Sequence, residues 1–179
     1  MFCINQYQLD LIKQVDILWV QHSEWTYMSF MGVVFKNSNE KDLINRLLRN
    51  PVDFGCFLRG FYGDRVACHF TNLLTEHLQL AISLVRFTMA GATMEAEQIN
   101  KRLYENADEI SLLLATINPY WYYPNWRDMF YLHLDLAKEM AGQMIEGNYR
   151  ESIETYDKFE AEVMMMADMM AQGILKEFF

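Results

Sequence analysis

The sequence is poor in residues that break or crosslink a chain. It has 3 prolines, 8 glycines and 3 cysteines among 179 residues. The cysteines, Cys3, Cys56 and Cys68, form no Cys-x-x-Cys pair and cannot all be bridged to one another, so reduced thiols in a cytoplasmic protein are expected. No stretch approaches the roughly 18 consecutive apolar residues of a membrane-spanning helix. The first residues also lack the basic lead and apolar segment of a signal peptide, which predicts a soluble, cytoplasmic protein.

Basic charge is scarce as well. The chain has 15 basic and 24 acidic residues, which gives a net charge of -9. Because this excess would repel a polyanion, the sequence predicts neither a nucleic-acid nor a membrane partner. The segment from Gly55 to Gly63 lacks the lysine and the preceding strand of a phosphate-binding loop. Nothing in the sequence therefore supports a kinase.

Signals for β-strands are also absent, because there is no alternating β-branched run and no Asn-Gly hairpin. Hydrophobic residues make up 52% and aromatic residues 15% of the chain, which is typical of a packed globule. Neither an internal repeat nor an interdomain linker is visible. Chain-breaking residues delimit helical segments at 5–36, 40–49, 63–90, 93–117, 125–146 and 149–178. We therefore predict an all-α fold, a single domain over residues 1–179, in which four to five long helices and one short helix form an up-down bundle.

Polar side chains occupy the centres of four apolar helix faces, as judged by the 3.6-residue period. These side chains are His22, His77, Asn106 and His133. Each lies within about two residues of the midpoint of its predicted helix, which is roughly 3 Å at the rise of an α-helix. Antiparallel helices of similar length align their midpoints. We therefore expect the four side chains to meet at one level of the core.

Buried polar groups need partners, because one left unpaired costs on the order of 1–3 kcal/mol. Three neutral imidazoles and a carboxylate suit a zinc, non-haem iron or manganese ion. The sequence therefore predicts a mononuclear metal site at mid-height of the core, and a metal-bound water would be the reactive species if the site is catalytic. The predicted ligands are His22, His77 and His133, with Glu109 or Asp168 as the fourth, and Asn106 holds a water or orients a ligand.

Two other functions fit the same pattern. One is a non-catalytic structural or interaction bundle, whose buried His, Asn and Asp network fixes helix register; a homodimer would favour it. The other is a small-molecule or haem-binding bundle, in which Trp19 and Trp25 flank His22 and, with Asn106, contribute to a cofactor site. No Cys-x-x-Cys-His haem-attachment sequence supports a haem. A two-metal centre is disfavoured because the Glu-x-x-His motif of di-iron bundles is missing.

Seven segments carry a family resemblance: LWVQHSEWTYM, RLLRNPVDF, FYGDRV, LLTEHLQLA, YENADEI, INPYW and MFYLHLDLAKE. Through them the chain, from about residue 17 to its C-terminus, resembles a family of small bacterial helical proteins without an assigned function. Some members carry the label acetylglutamate kinase, which neither these motifs nor a helical fold supports. The resemblance implies a helical bundle and a shared importance of His22, His77, Asn106 and His133, but no established activity. The chain departs from the family pattern in having more methionine and aromatic residues.

Overall fold

The computed structural model describes residues 5–179, and within them every regular element is an α-helix. Cys3 lies outside the described residues. The predicted all-α bundle is confirmed, with five long helices and one short one. The helices are α1 (Gln6–Val34), α2 (Glu40–Leu47), α3 (Asn50–Met89), α4 (Thr93–Ile117), α5 (Tyr123–Glu146) and α6 (Tyr149–Phe178).

Local chemistry explains where these helices begin and end. At the start of α1 the Asn5 side chain accepts a hydrogen bond from the backbone of Gln8, and the Gln8 side chain accepts one from the backbone of Asn5. This reciprocal pair is a capping box. Gly147 follows the last turn of α5 at φ 83°, a left-handed conformation that favours glycine and ends a helix. The α4, α5 and α6 segments predicted from sequence agree with these bounds to within two residues.

The third helix departs from the sequence prediction. The predicted segment 40–49 ends just before Asn50-Pro51, and no helix was predicted over 50–62. The pair instead begins α3, because proline is well tolerated in the first helical turn. Gly63, at φ 77° and ψ 175°, breaks α3 into the segments 50–62 and 64–89. These segments fold back on one another, since the Thr71 hydroxyl donates to the Pro51 carbonyl at 3.2 Å. A Cβ atom at Gly55 would lie only 2.1 Å from the Thr71 oxygen, so the close approach requires glycine.

The turn at Gly63 provides a test of this reversal. We expect Gly63→Ala to lower the free energy of unfolding by about 1–2 kcal/mol, because an L-residue is strained at positive φ. A Cβ there would contact nothing within 4 Å, so the cost comes from the backbone alone. Urea unfolding followed by circular dichroism measures it. Gly60→Ala is the matched control, because Gly60 is helical and equally uncrowded, and it should be neutral or stabilising. Equal effects of the two substitutions would contradict the reversal.

The long helices close into a ring, in which α1 neighbours α3 and α6, and α4 and α5 lie between them. Helices α1 and α6 are antiparallel, since Tyr7 packs on Phe179 at one end and Phe35 packs on Tyr149 at the other. One continuous cluster of buried hydrophobic side chains fills the interior and draws on all six helices. Within residues 5–179, no helix is both sufficiently long and sufficiently apolar to cross a bilayer. The ring of helices surrounds a core that is mainly apolar but contains several buried polar side chains.

Candidate functional site

Three imidazole rings lie next to one another in the middle of the core. His22 of α1, His77 of α3 and His133 of α5 are only 2–3% exposed. The ring centres of His22 and His133 are 5.4 Å apart, and those of His77 and His133 are 6.1 Å apart. The structure thus brings together the three histidines that the sequence placed at one level, with His133 in contact with both of the others.

An asparagine on a neighbouring segment orients the first ring. The Asn50 side chain donates from Nδ2 to the Leu18 carbonyl at 2.9 Å, and its Oδ1 faces Nδ1 of His22 at 3.2 Å. Because an amide oxygen can only accept, Nδ1 of His22 must carry the proton and donate it. The lone pair of the ring is therefore on Nε2.

The second ring is held in the same way. Asn106 of α4 donates to the Leu73 carbonyl at 3.0 Å and accepts from Nδ1 of His77 at 3.0 Å. In both pairs the carbonyl belongs to the residue four positions before the histidine. Asn106 Nδ2 also lies 3.5 Å from Glu76, which forms an ion pair with Arg102. Asn106, predicted as an orienting group, thus lies beside a histidine and fixes its tautomer.

The third ring has a carboxyl partner that the sequence analysis did not identify. Nδ1 of His133 lies 3.0 Å from Oε2 of Glu162 on α6, a side chain that is 1% exposed. The other oxygen, Oε1, is buried without a hydrogen-bond partner. Burial raises the pKa of Glu162 to about 8 and lowers the pKa of His133 to about 3. Near neutral pH the pair therefore carries no charge, because neither ion is solvated.

The other two imidazoles are also kept neutral. Burial lowers the pKa of His77 to about 3, with repulsion from a protonated His133 adding to the shift and the Asn106 hydrogen bond opposing it. Burial likewise holds the pKa of His22 well below its usual value, and the nearby His133 and His77 lower it further. Neutral imidazole is the form that binds metal ions.

The three ring–partner pairs recur at a nearly constant spacing. Each partner follows its histidine by 28 or 29 residues. Successive histidines are 55 residues (22 to 77) and 56 residues (77 to 133) apart. This regularity was not detected in the sequence, where no internal repeat is visible, because few other residues recur with it. The pairs are His22–Asn50, His77–Asn106 and His133–Glu162.

The two carboxylates proposed from the sequence as the fourth ligand lie elsewhere. Glu109 pairs with Arg102 at 2.8 Å and its side chain is 47% exposed, and the arginine lowers its pKa. Asp168 is exposed on α6, and the pKa of Asp16 is raised by burial and, to a smaller extent, by the charge of Asp168. Methionine and alanine on several sides of α6 blur its apolar periodicity, so the sequence pattern does not identify its buried face. The buried face contains Phe159, Glu162, Val163, Met166 and Met170.

The two tryptophans predicted to flank a cofactor have different surroundings. Trp19 is buried and meets the His22 ring edge-on at 5.7 Å. Trp25 is only partly buried, and the Arg46 guanidinium lies 4.8 Å from its ring centre. Trp25 therefore packs toward α2.

The separations of the rings can be compared with those around a metal ion. Tetrahedral coordination through Nε2 at about 2.1 Å places ring centres about 5.2 Å apart. The His22–His133 distance of 5.4 Å is close to this value, whereas the His77–His133 distance of 6.1 Å is longer. No group of three or more His, Cys, Asp or Glu side chains within residues 5–179 is spaced as a preformed metal site. Coordination by all three rings would require at least that His77 approach His133 by roughly 1 Å.

Comparisons of the chain with protein-family models, curated proteins and solved structures give no match. The resemblance to a family of small helical proteins therefore stays a prediction from the motifs.

Proposed function

We propose that the protein binds one divalent transition-metal ion through Nε2 of His22, His77 and His133. The observation that carries this proposal is the common use of Nδ1: all three rings make their hydrogen bond through this atom, to an oxygen on another helical segment. Histidines that ligate metals typically donate their second ring N–H to such an oxygen, which fixes the tautomer and the ring orientation. Asn50, Asn106 and Glu162 supply these oxygens.

The charge balance of the core supports a cation. Among residues 5–179, His133 is the one hydrogen-bond partner of the buried Glu162, and the other carboxyl oxygen has none. A divalent ion beside the imidazoles would stabilise the ionised carboxylate, which would then accept the Nδ1 proton of His133. Binding at neutral pH would release a proton from Glu162. Three imidazoles and one open position suit zinc, iron or manganese, with water in the fourth position.

Metal analysis tests the proposal directly. Protein purified without chelator should contain close to one equivalent of metal, and the chelated protein should take up one equivalent of Zn²⁺. At a free concentration of 100 times the dissociation constant, binding stabilises the fold by about 2.7 kcal/mol, which corresponds to a rise in Tm of about 5–10 °C. Differential scanning calorimetry with and without Zn²⁺ measures this shift.

Histidine variants identify the ligands. We expect His77→Ala/His133→Ala to lose both the bound metal and the thermal shift. His69→Ala is the matched control, because His69 is the fourth histidine of the chain and is exposed. Co²⁺ added to the unmodified protein gives a second readout, since tetrahedral nitrogen ligation produces intense visible absorption. Absence of Zn²⁺ uptake and of a Co²⁺ spectrum in the unmodified protein would overturn the proposal, even if the double variant fails to fold.

A purely structural network is the second candidate, and one observation favours it. Each Nδ1 atom already has its own partner, and the rings are not preformed as a metal site in residues 5–179. In that case the pairs fix helix register, which is one established use of buried polar groups. Replacing His77 and Asn106 together by leucine would then leave the fold cooperative and near its original stability. Metal-free purified protein together with this result would favour the structural role.

A further inference from the structure

A largely apolar cavity lies one helical turn beyond the level of the imidazoles. It has a volume of about 220 Å³ and opens partly to solvent. Ala81 follows His77 by four residues and Ala137 follows His133 by four, so the cavity begins about 6 Å from the histidines along the helix axes. Four helices, α1, α3, α4 and α5, contribute to its wall. Its lining includes Phe30, Val85, Leu103, Leu134, Ala137 and Ala141.

Small side chains create this space. Gly142 lies on the cavity wall, and a Cβ atom added there would contact nothing within 4 Å. Ala81, Ala137 and Ala141 also lie on the wall, so α3 and α5 present short side chains to each other at this height. An engineered cavity of about 150 Å³ accommodates benzene in an apolar core. By proportion, 220 Å³ accommodates a molecule of about nine non-hydrogen atoms.

Three polar residues on the wall define the chemistry of an occupant. The hydroxyl of the first, Thr88, already donates to the Leu84 carbonyl at 2.8 Å. The side-chain oxygen of Asn100 is buried and has no hydrogen-bond partner, so it is available to a donor. Lys138 is the one charged residue of the lining, and its ammonium group donates to the Tyr104 hydroxyl and pairs with Asp135 at 3.0 Å. Because that charge is already balanced, the cavity does not call for an anionic ligand.

We infer that this cavity binds a small, uncharged, mainly apolar molecule with one hydrogen-bond donor, which Asn100 accepts. Bicyclic aromatic amines of the size of indole, alkylphenols and medium-chain alcohols belong to this class. The inference is independent of the metal site, because His22, His77 and His133 do not line the cavity. If the protein binds both a metal ion and a molecule in the cavity, the inner end of that molecule lies one helical turn from the imidazoles.

Indole and benzothiophene form a matched pair of probes, because they have the same shape and nine ring atoms but only indole has an N–H donor. Isothermal titration of metal-free protein should show that indole binds with a Kd of tens to hundreds of micromolar, which nine atoms can supply. Benzothiophene should bind about five- to tenfold more weakly, since it leaves Asn100 unpaired. Asn100→Ala should reduce this preference to less than twofold.

Filling the cavity gives the decisive variant. Gly142→Leu places a side chain in the open space and replaces a helical glycine, so it should fold at least as stably and weaken indole binding by at least tenfold. Gly60→Leu is the matched control, because Gly60 is helical and uncrowded but not part of the cavity. Unchanged indole affinity in Gly142→Leu, or no binding of either probe to the unmodified protein, would overturn the inference.

Discussion

Lowering the pH from 6.5 to 4.5 should destabilise the metal-free protein by about 4–5 kcal/mol. The folded core keeps three imidazoles neutral, with the pKa of His77 and of His133 at about 3 and that of His22 also well below 6.5. The unfolded chain protonates all three near pH 6.5. Each histidine therefore contributes stability that is present above pH 6.5 and is lost as the pH falls toward 3, at up to about 1.4 kcal/mol per pH unit.

Glu162 has the opposite effect on stability, because its contribution to the free energy of unfolding increases as the pH falls. Its pKa is raised from 4.5 to about 8, so the folded state retains a proton that the unfolded state releases. Its contribution is present below pH 4.5 and is lost as the pH rises toward 8. Between pH 6.5 and 4.5 the three histidines outweigh the one carboxyl. Stability should therefore be greatest near pH 6.5, with a steep acid limb and a shallower alkaline limb.

Urea unfolding of chelator-treated protein at intervals from pH 4 to 8.5 measures this profile. Glu162→Gln should flatten the alkaline limb, because the amide does not ionise. His77→Leu should reduce the acid slope by about one half, because two histidines then act against the one carboxyl, whereas His69→Leu, at an exposed position, should leave it unchanged. A flat profile between pH 6.5 and 4.5 would show that the core imidazoles accept protons while folded, and it would contradict the neutral pairs described above.

Gly173→Ala should destabilise the protein by about 3 kcal/mol, which would lower its Tm by about 6–12 °C. Gly173 lies on the buried face of α6, where the indole of Trp121 packs against its backbone. A Cβ atom there would lie 1.9 Å from Nε1 of Trp121 and 2.4 Å from Cδ1. Trp121 is 1% exposed, and its Nε1 donates to the Met169 carbonyl at 3.1 Å. The methyl group must therefore displace a buried ring and break its hydrogen bond.

Thermal unfolding and tryptophan emission together test this prediction. Emission should shift to the red as Trp121 becomes more exposed. Gly142→Ala is the matched control, because it is the same change within a helix at an uncrowded position. The control should be neutral or stabilising by up to about 1 kcal/mol, since alanine is the better helix former. If Gly173→Ala retains the original Tm, then the close contact between Trp121 and α6 does not exist in solution.

Two of the three histidine partners were missed in the sequence, each for an identifiable reason. Asn50 was interpreted as part of a helix end, because an Asn-Pro pair terminates one helix as readily as it begins another. Glu162 was missed because methionine and alanine on several sides of α6 give no sharp apolar direction. One pattern in the sequence does relate the three pairs, because each partner follows its histidine by 28 or 29 residues. This interval can be recognised only after the partners are known from the structure.

The sequence by itself determined that this protein is helical, where most of its helices end, and that three histidines face the interior. Helix caps and apolar periodicity depend on residues that are close together in the sequence, so the sequence alone is enough to identify them. The tertiary structure alone decided which side chains meet those histidines, because a partner almost 30 residues away depends on the rotation and height of another helix. The reversal of α3 at Gly63 and the cavity beside Gly142 were likewise decided by packing between helices.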